Sequence, residues 1–326
     1  MAIAVALLSS QVGCKKLAQT RARLLDAGAA ASAATESVDD DQALNGLVDC
    51  LNGLDHSISK SLERYTSWLP DAKEGAPQPG PTGKETRVFG FYQISDHDVT
   101  TCEKGLKLAI SKPEFKDASE KFKAVTEKIV PAINEANVYY DRKDYKDDKF
   151  AKGKELHAKL WPLAEEFFKV SHEFRGIVVK ANDARMEAEL KEVEAKQGRK
   201  LLFQKLNVLA HAKASVRVAA EEKAPLTELE PLMVAYEKAV DEMKTYASSH
   251  KDEAEKVMMW SMFENKVEEY LKVLKDRVRR VRDKKAYTSS EIRLLESGSG
   301  WMVEGSSAKA NRAYNDLVSS SNSLRL

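Results

Sequence analysis

Nine apolar residues stand seven positions apart in one unbroken register: Leu160, Phe167, Phe174, Ala181, Ala188, Ala195, Leu202, Leu209 and Val216. A seven-residue apolar repeat marks helices that pack along a seam. Sustained over this length, it leaves little room for any fold but a helical one. As one helix near 148–222 it would span about 110 Å. The waist is thin, however. From Ala181 to Ala195 the seam holds only small side chains among Glu, Lys and Arg, and Gly198 follows. Two readings stay open: one long helix shared by two lobes, or two helices meeting near Gln197-Gly198.

The other apolar stripes are helical too, with spacings of three and four. Leu44, Leu47, Leu51, Leu54, Ile58, Leu62 and Tyr65 make one face, after Asp39, Asp40 and Asp41 as candidate N-caps. Phe115 to Tyr140 makes a second, with Pro131 inside it as an expected kink. Leu156, Leu160, Leu163, Phe167, Val170, Phe174 and Ile177 make a third. Stripes at 226–247 and 263–281 and a short closing helix after Ser306 complete the set. The segment 70–83, with four prolines and three glycines, must be a loop. "RVFGFYQI" at 87–94 is extended but too isolated to build a sheet. The expected fold is all-α: an elongated antiparallel helical bundle with long coiled-coil-like helices, in lobes at 38–190 and 191–326.

The first fourteen residues, MAIAVALLSSQVGC, join a short apolar run to Val12-Gly13-Cys14. This looks like the end of a bacterial lipoprotein signal peptide, with residues 1–13 removed and Cys14 lipidated. Residues 1–13 contain no Lys or Arg, and Gln11 replaces the usual apolar residue; an ordinary apolar turn is the alternative. An Ala/Ser-rich stretch follows, so 14–37 reads as a tether. Lys15 after the cysteine points to the outer membrane. If Cys14 carries lipid, Cys50 and Cys102 are left as a possible disulfide in an oxidising compartment, or as two buried thiols.

Lys+Arg is 52 and Asp+Glu 51, so charge exerts no overall pull toward nucleic acid. No His of the six has another at i+4, and no H-E-x-x-H, C-x-x-C or G-x-S-x-G occurs. No catalytic residue, metal site or cofactor is therefore assigned. "KDRVRRVRDKK" at 275–285 is the strongest basic run. Arg277, Arg280 and Lys284 could meet lipid phosphates from one face, although a solvated face is the simpler reading.

The most distinctive segment is "YYDRKDYKDDKFAKGKELHAKL" at 139–160. With "YNDLVSSSNSL" at 314–324, it resembles the YiiG-like family of bacterial lipoproteins of unknown function. The resemblance implies an exported, lipid-anchored, largely helical protein, and it brings no catalytic residues. By itself the segment reads as a turn between about Asp141 and Asp147 that joins antiparallel helices. Asp147 or Asp148 caps the second helix. Tyr139, Tyr140 and Tyr145 plug that end, Gly153 admits close helix approach, and His157 bonds across the pair. The sharper alternative is a cation or partner site at Asp144, Asp147 and Asp148. The expected role is a non-enzymatic envelope scaffold with an envelope protein partner. The alternative is a lipoprotein that binds a metal or small ligand.

Overall fold

Residues 30–73 and 76–324 are described by the structure, a computed structural model. They are all-α, with no strand among the described residues. The fold divides into two compact units, one ending at Asn182 and the other starting at Asp183.

In the first unit, α1 (Ala30–Cys50) passes through a π turn (Leu51–Asp55) into α2 (His56–Thr66). Its apolar stripe from Leu44 to Tyr65 is buried throughout. α1 begins inside the stretch read as a tether, and Asp39 to Asp41 lie within the helix rather than capping it. Asp40 pairs with Lys112 instead. A loop then leads to α3 (Asp96–Ile110), whose N-cap is Ser95: its Oγ accepts the Asp98 N–H at 3.1 Å.

α1 and α3 cross at Gly46 and Gly105. A Cβ on Gly46 would lie 2.6 Å from the Gly105 Cα, so only glycine lets the backbones meet. One turn away, Cys50 and Cys102 form a disulfide, with Cα atoms 4.2 Å apart. α4 (Pro113–Arg142) runs on through Pro131 without ending.

After a short helical turn, α5 (Tyr145–Asp148), comes α6 (Ala151–Gln197). Phe122 of α4 stacks on Phe174 of α6 with ring centroids 4.3 Å apart. The buried face of α6 carries Leu156, Leu160, Ala164, Phe167, Ser171, Phe174 and Val178, whereas Ile177 is exposed.

Of the two readings of 148–222, the structure has the second: two helices meet near Gln197-Gly198, and no continuous helix forms. α6 stops at Gln197, and Gly198 takes the left-handed conformation (φ 72°) that ends a helix. α7 (Leu201–Ala219) runs back antiparallel. Asp183 accepts hydrogen bonds from Arg217 at 2.5 and 2.6 Å and pairs with Lys213 at 3.1 Å. Nearer the turn, Val193 packs with Phe203 and Leu206. A straight helix would forgo these contacts. It would also hold a glycine mid-helix, at a cost of about 1 kcal/mol. The apolar register does not mark one buried seam: Leu160, Phe167, Phe174 and Val216 are buried, Leu202 and Leu209 are half-buried, and Ala188 and Ala195 are exposed.

The second unit adds α8 (Leu226–Ser249), a short turn α9 (Lys251–Ala254), α10 (Trp260–Arg282), α11 (Ser289–Glu296) and α12 (Ser307–Ser323). Helices α7, α8, α10 and α12 enclose one apolar core. Its buried phenols are paired: Tyr270 with Ser215 Oγ at 3.0 Å, and Tyr236 donating to the Val267 carbonyl at 3.0 Å.

Candidate functional site

The 139–160 segment is built around Asp148. α4 ends where Lys143 turns left-handed, and Lys149 and Phe150 do the same before α6 begins. Positive φ is costly for such residues, so something must hold the turn. Asp148 does so. Its Oδ1 accepts the Phe150 N–H at 2.9 Å and the Tyr139 hydroxyl at 2.8 Å, and Oδ2 accepts the Lys152 N–H at 2.9 Å. Burial works to raise its pKa, but the N–H groups of Lys152 and Phe150 and the Tyr139 phenol outweigh it and hold it below the usual carboxylate value.

The tyrosines plug the end of the unit. Tyr139 and Tyr140 meet edge to face at 5.0 Å, and Tyr145 stacks on Phe150 at 4.9 Å. Tyr65 and Trp68, from the end of α2, pack on Tyr140 at 5.6 and 5.8 Å, and Phe91 stacks on Tyr65 at 4.2 Å. Gly153 admits the plug, since a Cβ there would lie 3.1 Å from the Tyr140 Oη. Burial pushes the Tyr65, Tyr139 and Tyr140 phenols well above their ordinary value, so they stay neutral; Tyr65 and Tyr139 hydrogen-bond through their hydroxyls, and the Tyr140 hydroxyl is buried without a partner among the described residues.

His157 is not bonded across to α4 as expected. Its Nδ1 lies 3.1 Å from the Tyr65 hydroxyl and its Nε2 lies 3.0 Å from the Gln78 carbonyl. The ring is stacked near Trp161, and Gly80 sits against it so closely that a Cβ would approach within 2.8 Å. A carbonyl only accepts, so Nε2 carries the proton and Nδ1 receives the phenol's. Burial lowers the pKa of the ring. The imidazole thus ties the proline-rich loop to α2, a role that sequence spacing did not reveal.

The three aspartates do not gather. Asp148 turns inward, Asp147 is exposed, and Asp144 contributes a backbone carbonyl to the turn. Among the described residues no three His, Cys, Asp or Glu side chains converge as a metal site.

Two charged centres have roles that the sequence reading did not assign. Asp55, in the π turn, is fully buried; Ser171 donates to it and the Arg175 guanidinium pairs with it. Burial pushes its carboxyl up to about 6 against the lowering effect of Arg175. In the second unit, Arg277 donates to the carbonyls of Ala219, Glu221, Glu222 and Gly305 at 2.6 to 3.2 Å. It closes the C-terminal end of α7, where the helix dipole favours a cation. Arg280 pairs with Glu291 at 2.6 Å and lies 4.5 Å from the Tyr287 ring centroid. Arg277 and Arg280 are therefore internal rather than on a phosphate-facing surface, whereas Arg279, Arg282, Lys284 and Lys285 are exposed and form the solvated side of the run.

An open cleft of about 940 Å³ lies in the second unit, between the α6–α7 turn and α8. Arg199, Lys200, Asp241, Glu242 and His250 are among its walls. Cys14 and the 1–13 leader lie outside the described residues, as does the tether before Ala30.

Residues 39–323 match the model of a family described as "Protein of unknown function (DUF3829)". The uncharacterized protein YiiG of Escherichia coli (strain K12) is 35% identical over 293 residues, covering 87% of this chain and 79% of that protein. No solved structure matches. With its match spanning both units, the chain belongs to the DUF3829 family and is a YiiG-like protein.

Proposed function

We propose that the protein is an exported lipoprotein, held to the outer membrane through Cys14 and facing the periplasm. There it serves as a non-enzymatic helical scaffold for an envelope protein partner. The observation that carries this reading is the Cys50–Cys102 disulfide. Such bonds persist in oxidising compartments and are rare in the cytosol. Val12-Gly13-Cys14 supplies the export and anchoring signal, and acyl chains anchor what the short apolar leader cannot. The test is palmitate labelling and membrane fractionation of the full-length chain and its Cys14→Ser variant. The parent should label and sediment with membranes, and the variant should do neither. Labelling and sedimentation that survive the substitution would end the anchoring proposal. Cross-linking in intact envelopes, followed by mass spectrometry, tests the scaffold role; a reproducible protein partner is expected.

A second reading, ligand binding, is favoured by the cleft beside the α6–α7 turn, whose walls carry both signs of charge. Native mass spectrometry of protein purified from its own envelope would show the bound mass.

A further inference from the structure

Three of the eight methionines fall within five positions, in "MMWSM" at 258–262. The segment joins α9 to the first turn of α10. Trp260 points into the core at 4% exposure, with Phe263 5.5 Å away, and so fixes the rotation of that turn. Met258, Met259 and Met262 are left outside, at 66%, 38% and 49% exposure. By contrast Met243 is fully buried, and Met233 packs against the core.

Packing does not account for this cluster. Large apolar side chains at a turn gain nothing from water. Met259 also sits at φ 69°, where a side chain is strained and glycine would be at ease. What the three share is the thioether. Met258 and Met259 lie in the turn that leads into α10 and Met262 in its first turn, so all three stand within five positions at the helix start. Methionine's unbranched chain has the rotational freedom to bring its sulfur to a common point.

We propose that Met258, Met259 and Met262 form a site for one soft monovalent cation of the Cu(I) or Ag(I) class. Thioether sulfur selects Cu(I) among biological metals, whereas Ca²⁺ and Mg²⁺ require oxygen ligands. The positive end of the α10 dipole works against cations in general. Affinity must therefore come from bonding to sulfur, which excludes ions held by charge alone. The inference stands apart from the scaffold reading and would survive its failure.

The experiment uses the full chain with Cys14→Ser, because a free thiol would itself take Cu(I), and with the disulfide kept oxidised. Cu(I), maintained with ascorbate, is titrated in competition with bicinchoninate. One equivalent should transfer to the protein. The triple variant Met258→Leu, Met259→Leu, Met262→Leu conserves volume and should keep the parent's helicity. It should lose at least about tenfold in affinity, since removing even a residue that only supports a ligand costs 10–100-fold. The parent, labelled on its methionine methyl groups, gives a readout free of folding effects in the variant. On adding Ag(I), the signals of those three residues should shift, while those of Met243 and the isolated Met302 stay still. No transfer from bicinchoninate, equal affinity in the triple variant, or methyl shifts elsewhere would each overturn the site.

Discussion

The two units reach the same helical architecture by different means. The second relies on a continuous apolar core, with buried phenols paired and Arg277 closing one helix end. The first packs α1 on α3 at a glycine–glycine crossing, and a covalent bond, a buried ion pair and an aromatic plug secure the rest. The glycines bring the two backbones close, and Leu47, Val48, Leu106 and Ala109 are buried around them. The same crossing carries the cross-link. The stability of the first unit depends on the redox state of its surroundings, and that of the second unit does not.

The comparison can be broken most directly at the disulfide. Cys50→Ser with Cys102→Ser should destabilise the first unit by about 4 kcal/mol in the chain-entropy view. Hydrogen exchange should quicken through α1 and α3 and stay unchanged in α8 and α10. Equal loosening of both units would refute the contrast.

Asp55→Ala should cost the same unit about 3 kcal/mol, because it leaves Arg175 facing a buried site without its counter-charge. Denaturant midpoints measured with a probe in each unit would show the loss in the first alone. Asp148→Ala should cost about 1–2 kcal/mol, since it removes a helix cap and the acceptor of the Tyr139 hydroxyl. Asp144→Ala should change little. Calcium or magnesium should not raise the melting temperature of the parent; a rise that the Asp144→Ala, Asp148→Ala double variant lacks would restore the cation reading.

The smallest effect concerns pH. Burial depresses the His157 pKa from 6.5, so its contribution is present above the unfolded value and is lost as pH falls through the folded one. Asp55 has the opposite sign. Its pKa is raised from 3.8 to about 6, so its contribution is full below the unfolded value and is lost as pH rises through about 6. His157→Gln should therefore leave the first unit less sensitive to acid, and Asp55→Asn should remove the counter-trend. Melting curves from pH 4 to 8 would separate the two.

Much of this was legible in spacing. The stripes of α1, α2, α4, α8 and α10 are the faces that are buried. Asp148 was readable as a cap because a carboxylate just before a helix has that chemistry. The hairpin at Gly198 was legible only as one of two readings, because a seven-residue register looks the same whether the seam continues or folds back. Ser171 in the α6 core was hidden as well. Polarity argues against burial until its partner Asp55 is known, and that partner is far away in sequence. The proline-rich segment read only as a loop, yet Gln78 and Gly80 make it the cover over His157. Contacts of that kind depend on where chain ends meet in space, which no local pattern records.

The π turn at Leu51–Asp55 gives this unit a phase joint. Before it, α1 offers Gly46 and Cys50 to one neighbour; after it, α2 offers Tyr65 to another. Each residue advances a helix by about 100°. Losing one position here would turn Tyr65 and Trp68 away from the plug while leaving the cysteines in register. For these five residues, number matters more than identity. Substitutions can drift among side chains of similar size, whereas a single-codon deletion would uncouple the cross-linked half of the unit from its aromatic end.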